Sequence, residues 1–328
     1  MNPGASLRSQ RLRRLAKLLF LLLLLGVLGY AAHSVDWPRV LAALRRMPPS
    51  RLLLAAACSA LSYAGYSFTD LFALRYLAPP VSRARAMTIA FVSYAFNQNF
   101  GSLLGTIGFR LRLYSHAGLE PAQIAPIVGL GFITNWSGYL LLAGLVFLSR
   151  SLELPPGWGL GATGLQAVGA ALLSALTGYV LLCLHGRKRL WTVFGVTIEL
   201  PGWRKALLQL ALSSFVWLAI FATLYTLLPR AIDPRPVLAV FLLACIAGLV
   251  THVPGGLGVI EAVFLALLGS RLGRHELLAS LLAYRALYYL MPLALALPLY
   301  LHLEARAQRS GQEHRETAPP PKATLRNG

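Results

Sequence analysis

Acidic side chains are scarce in this 328-residue sequence: 11 Asp+Glu stand against 30 Lys+Arg, giving a formal charge of +19. Charged residues of both signs reach only 12%, about half the roughly 25% usual in a soluble domain. So low a share excludes a soluble fold of this size, because 57% hydrophobic residues could not all be hidden from water. There are only three cysteines, Cys58, Cys183 and Cys245, all in apolar runs and none in a CxxC pair. A disulfide framework and a cysteine metal site are thereby excluded, and the three read as small, inert core residues. The seven histidines are scattered without an HExxH pairing. Neither a GxSxG elbow nor a Walker-type phosphate loop is present. An enzyme, a resident metal and a cofactor are therefore not expected. A cleavable signal is missing too: the first apolar run, Leu15 to Ala32, has a basic flank but no small-x-small site, so it reads as a retained anchor.

What is present is apolar sequence in long runs, with a mean hydropathy of +0.63. The chain reads as an all-α polytopic membrane protein with about 6–8 transmembrane helices, some of them broken or re-entrant. Basic residues sit in short links and at both ends. That pattern fits the positive-inside rule and anionic lipid headgroups, and does not make the basic soluble face that nucleic acid wants. The expected organisation is a basic cytoplasmic tail over 1–14, one helical membrane domain over 15–303 and a disordered cytoplasmic tail over 304–328. The expected location is a bacterial inner membrane, multi-pass, with both termini cytoplasmic.

Nine apolar segments are legible, at 15–33, 52–76, 86–107, 124–148, 161–184, 206–228, 237–251, 259–270 and 278–303. Residues 36–51 read either as a short amphipathic helix at the interface or as a solvated loop helix. If the first five segments all crossed, the basic link 185–205 would lie outside. The conflict disappears if segment three, FVSYAFNQNFGSLLGTIG, enters and leaves on one side. Arg39, Arg45, Arg46 and Arg51 then lie outside, which the rule disfavours. Segments seven and eight, flanking HVPGGLGVIE (252–261), either form a matching re-entrant pair or cross twice, with the same parity; the re-entrant arrangement gives the layout of an inverted-topology repeat.

Within that second break Pro254 removes a backbone donor, and Gly255, Gly256 and Gly258 make continued helix costly. Glu261 follows in the first turn of the next helix. It can cap that helix, bind a proton or cation, or pair with a buried arginine, for which Arg285 and Arg110 are candidates. Asn97, Gln98 and Asn99 beside the first break can hold a headgroup or satisfy their own broken backbone. Arg110, Arg112 and Arg285 suit phosphate recognition, although the first two can be plain positive-inside anchors. Tyr284, Tyr288 and Tyr289 read as an interfacial belt.

At the two breaks, SYAFNQNFGSLLGTIGFRLRLYSHAGL (93–119) and HVPGGLGVIEAVFLALLG (252–269), with AYRALYYLMPL (283–293) downstream, the chain resembles the transmembrane domain of lysylphosphatidylglycerol synthetases. The resemblance spans about 15–303. Its most specific part is the PGGLG-x-x-E element with the later Tyr-Arg. It implies lipid translocation or handling in a stand-alone, flippase-like member without the soluble synthetase domain. It also implies as site residues those within matching motifs: Asn97, Asn99, Arg110, Pro254, Gly255, Gly256, Gly258, Glu261 and Arg285. The expected partners are membrane lipids, above all anionic phospholipids, and no nucleic acid. The competing functions are a transporter of a small polar or anionic solute and a non-transporting membrane scaffold.

Overall fold

A computed structural model describes residues 37–77, 81–101, 103–152, 154, 161–185, 190–193, 196–199, 201–229, 232–251 and 253–316. The basic tail and segment one lie outside the described residues. A short helix, α1 (Trp37–Arg46), comes first. Its Leu44 packs inward and Arg45 and Arg46 face out, a sidedness that both the interfacial and the solvated readings of 36–51 share. Then comes α2 (Pro49–Leu77), 29 residues, about 44 Å long at 1.5 Å per residue. That exceeds the roughly 30 Å of a hydrocarbon core.

Helix α3 (Arg83–Phe100) is started by Ser82, whose Oγ accepts the Arg85 N–H at 3.3 Å, and is stopped by Gly101 at φ 86°. Segment three therefore does not run as one helix from 86 to 107. It breaks at Gly101 and resumes as a π-helical turn (Leu103–Phe109) leading into the short α4 (Arg110–His116). Helix α5 (Pro121–Leu148) begins with a proline, whose missing N–H costs nothing there. The Gln123 side chain accepts the Glu120 N–H at 2.9 Å, closing its first turn. Helix α6 (Ala162–His185) follows. The link 185–205 holds a feature that charge reading missed: β1 (Leu190–Val193) pairs antiparallel with β2 (Val196–Glu199), Leu190 opposite Glu199 and Val193 opposite Val196. The alternating LWTV and VTIE runs were its signal.

The second half comprises α7 (Trp203–Tyr225), α8 (Pro234–Thr251), a 3-10 turn (Pro254–Gly256), α9 (Val259–Leu272) and α10 (Arg274–Tyr284). A π-helical turn (Arg285–Leu290) then leads into α11 (Met291–Glu316). The last helix does not end at 303 but continues to Glu316. Among the described residues six helical stretches are long and apolar enough to cross a membrane: Pro49–Phe72, Pro121–Leu148, Ala162–His185, Trp203–Tyr225, Pro234–Thr251 and Arg274–Gln308. The protein is an all-α polytopic membrane protein, with the small hairpin as its strand structure among the described residues.

The halves follow one plan. A long helix (α2, α7) precedes an 18-residue helix (α3, α8), a glycine break, a shorter return (103–116, 259–272) and a final long helix (α5, α10–α11). Helices α2 and α7 pack on each other, and α3 and α8 each pack on their own return element. Each pair thus brings the chain back to the face it left. Counting crossings, α2, α5 and α6 precede α7, so α7 runs opposite to α2. On that count, with both broken pairs re-entrant, the two breaks would enter from opposite faces.

Candidate functional site

The site starts from the second break. Gly255 (φ 61°), Gly256 (φ 57°) and Gly258 (φ 79°) all occupy the left-handed region, which costs other residues about 1–2 kcal/mol each. The turn frees backbone carbonyls inside an apolar bundle, where an unpaired polar group costs several kcal/mol. Arg285 takes them: Nη1 donates to the Gly255 carbonyl and Nη2 to the Gly256 carbonyl, both at 3.0 Å. The same guanidinium forks onto Glu261, Nε to Oε1 and Nη2 to Oε2, the latter at 2.8 Å. Glu261 Oε2 also accepts the Gly258 N–H at 3.0 Å. Glu261 therefore caps the helix that the break begins and neutralises the arginine that closes the break. Arg285 lies 5.5 Å from the centre of the Tyr289 ring.

The first break meets the second here. A Cβ on Gly255 would stand 3.6 Å from the carbonyl oxygens of both Gln98 and Asn99, the end of α3. The negative end of the α3 dipole thus faces the turn that Arg285 holds. The π-helical return is pressed far closer: a Cβ on Gly105 would fall 2.1 Å from the Asn97 backbone.

Between the breaks lies a buried polar chain. The π-turn Arg285–Leu290 departs from the α-helical ladder, and three side chains meet its carbonyls. Ser59 Oγ donates to Leu287 at 3.1 Å, Tyr63 Oη to Tyr288 at 3.0 Å and Asn99 Nδ2 to Tyr289 at 3.2 Å. Asn97 Nδ2 donates to Gln98 Oε1, and Gln98 Nε2 donates to the Tyr288 hydroxyl, which shares a 2.9 Å bond with Tyr94. Tyr284, Tyr288 and Tyr289 are 2%, 0% and 8% exposed. They are not an interfacial belt; they line the inside of the bundle, where their hydroxyls and ring stacks join the two halves.

Arg110 stands in a separate cluster. Its Nε and Nη2 fork onto Asp70 at 3.0 and 2.9 Å, and the Tyr114 hydroxyl donates to Asp70 at 2.9 Å. Both partners of this pair are buried, at 1% and 0%. Arg112 forks onto Glu304 at 3.1 and 2.7 Å. Of the residues singled out in the sequence, the structure brings together Asn97, Asn99, Gly255, Gly256, Gly258, Glu261 and Arg285, and sets Arg110 apart. The sequence reading missed Asp70, Glu304, Ser59 and Tyr63. Asp70 carried the same signal as Glu261, a lone carboxylate in an apolar helix.

A groove of about 340 Å³ runs between α2, α3 and α11 beside this chain, with Ser59, Tyr63, Ser67 and Thr88 among apolar walls that include Phe91 and Leu295. Each of those four hydroxyls spends its proton on a backbone carbonyl, of Leu287, Tyr288, Tyr63 and Ala84 respectively. Ser59, Tyr63 and Ser67 are buried behind the groove wall, so of the four it is the Thr88 oxygen, half-buried, that can offer a ligand its lone pairs.

Residues 14–296 match the family model described as lysylphosphatidylglycerol synthase TM region. The chain is 39% identical to the inner membrane protein YbhN of Escherichia coli over 279 residues, covering 85% of this chain and 88% of that one. It is 30% identical over 290 residues to the uncharacterized protein slr0712 of Synechocystis, covering 86% and 90%. It is 26% identical over 243 residues to a phosphatidylglycerol lysyltransferase of Staphylococcus haemolyticus, covering 71% of this chain and 27% of that protein.

Proposed function

The chain belongs to the lysylphosphatidylglycerol synthase transmembrane-region family and is a multi-pass inner membrane protein; from that premise we propose that it moves phospholipid between leaflets and performs no chemistry on it. The single observation that carries this reading is the groove between α2, α3 and α11. Its apolar walls suit acyl chains. Its hydroxyl oxygens lead inward to the Tyr288–Gln98–Asn97 chain at the junction of the two breaks. The tails would stay in hydrocarbon and only the headgroup would leave water; its desolvation is the main cost of crossing, and polar groups along the route would offset it.

The spent protons refine the cargo. Arg110 and Arg285 give their forks to internal carboxylates, so neither is the first contact for phosphate. The Thr88 oxygen at the groove surface is left to accept hydrogen bonds, which suits a headgroup that donates them, such as the glycerol hydroxyls of phosphatidylglycerol. Asn97, Asn99 and the Gly255–Gly258 backbone form the inner end of the route, and Glu261 with Arg285 keeps its shape. The relation to a phosphatidylglycerol lysyltransferase supports the same lipid class.

The test is a proteoliposome assay with a fluorescent phosphatidylglycerol analogue and a membrane-impermeant quencher. Wild-type protein should expose inner-leaflet label to quenching, and Ala64→Trp, which fills the groove, should slow it. Vesicles that quench no further than protein-free ones would overturn the reading. Leakage of a small anion without lipid movement would replace it with a solute transporter.

A further inference from the structure

The described residues hold a second cationic surface that the groove does not use. Helix α1 packs against α10. Arg51, at the start of α2, donates Nη1 to the Leu228 carbonyl at 3.2 Å, and Ser280 of α10 donates to the Leu227 carbonyl at 2.8 Å. These contacts tie residues 45–51, 226–235 and 271–280 into one end of the bundle. Arg45, Arg46, Arg51, Arg235, Arg271 and Arg274 are all exposed there, with His275 beside them. The described carboxylates at this end are Glu276 and Asp233. Asp233 is committed to Arg235 at 3.1 Å. The Arg235 backbone N–H and then its side chain hold the Asp233 carboxyl below its ordinary range.

Two features set this end apart. First, α2 and α7 each have one end here and one at the opposite face, where Arg83, Arg204 and Lys205 are exposed. Whichever face is cytoplasmic, a cationic face looks outward. The positive-inside rule explains one such face and not two. Second, the described cations here are arginines, as nearly all of the chain's cations are, and six of them are exposed beside only two described carboxylates. A guanidinium fork matches two phosphate oxygens at once, whereas a lysine is a point charge. This end caps the candidate spans that begin at Pro49 and Arg274 and end at Tyr225, so lipid headgroups are the phosphates that border it.

We propose that this arginine surface, built from α1, the start of α2, the 226–235 link and the α9–α10 corner, binds the phosphate groups of anionic phospholipid in the leaflet that borders it. The role is independent of translocation: a chain that moved no lipid would still hold it.

The test uses the full chain in neutral detergent with a photoactivatable phosphatidylglycerol, and peptide mapping of the adducts. Adducts should concentrate in 41–51 and 269–276, and photoactivatable phosphatidylcholine should give few there. Replacing Arg45, Arg46, Arg271 and Arg274 together with Gln should lower labelling of these peptides at least about tenfold, while Arg204→Gln leaves it unchanged. The matching Arg→Lys set, which keeps charge and fold, should recover only part of it. Excess inorganic phosphate should not compete; full competition would mean a free-phosphate site and overturn the lipid assignment. Equal labelling of both faces, or full recovery by Lys, would overturn the proposal. Running the same variants in the quenching assay separates its failure from failure of the transport reading.

Discussion

In the first repeat the return element carries the cation, Arg110, and the neighbouring long helix carries the anion, Asp70. In the second the return helix carries the anion, Glu261, and the following long element carries the cation, Arg285. The arrangements are charge-reversed, yet both clamp a re-entrant return onto a spanning helix. Their surroundings differ. The first pair is sealed, at 1% and 0% exposure, and closes no backbone carbonyl. The second is 9% and 13% exposed and also binds the Gly255 and Gly256 carbonyls. A clamp that only joins helices can sit anywhere dry. A clamp that also satisfies a broken backbone must sit at the break, beside the polar chain. The second half is therefore the one in which the ion pair and the broken backbone share the same atoms; on the transport reading proposed above, the route for cargo would share them too.

The comparison predicts an order of effects. Asp70→Ala leaves Arg110 buried without a counter-charge and should cost about 3–5 kcal/mol of unfolding free energy, the largest single loss. Thermal unfolding in detergent measures it, and a loss below about 1 kcal/mol would mean that the first pair is not a clamp. Glu261→Gln keeps an acceptor for the Gly258 N–H and should cost less, about 1–3 kcal/mol, while slowing lipid movement more than Asp70→Asn does. If the two variants slow movement equally, the halves are not functionally distinct. Gly255→Ala forces a Cβ into the left-handed region and should cost about 1–2 kcal/mol. The added Cβ meets the Gln98 and Asn99 carbonyl oxygens only at ordinary contact distance, 3.6 Å, so the backbone strain is the whole of the effect, read as a shift in unfolding midpoint. Ser59→Ala, which removes one bond to the Leu287 carbonyl, should cost only about 1 kcal/mol, read as a shift in unfolding midpoint.

Much of this architecture was legible before any coordinates. Interruptions such as HVPGGLGVIE stand out because apolar helices tolerate few glycines and charges, and Glu261 with Arg285 was readable as a pair of lone charges in apolar surroundings. Arg110 with Asp70 was not. The two are 40 residues apart, and charge parity orders helices along the membrane normal without saying which are neighbours in its plane. The same gap explains the tyrosines of 284–289. Composition alone places tyrosine at an interface, and only the packing of α2 and α3 against the π-turn turns them inward. The hairpin at 190–199 was hidden because that link was read for charge and not for alternation.

Helix α6 packs less than any other candidate span, with only 17% of its apolar window buried. Its effect on the protein is arithmetic. Each repeat alone is an even excursion, so two copies joined end to end would point the same way and break on the same face. One interposed crossing turns the second copy over. A tandem duplication would thereby become an inverted pair by acquiring a single helix, one that meets α5 closely at Gly144 and Gly169 and is otherwise largely exposed. Excising 149–202 should restore same-sense copies and leave the two breaks unable to meet.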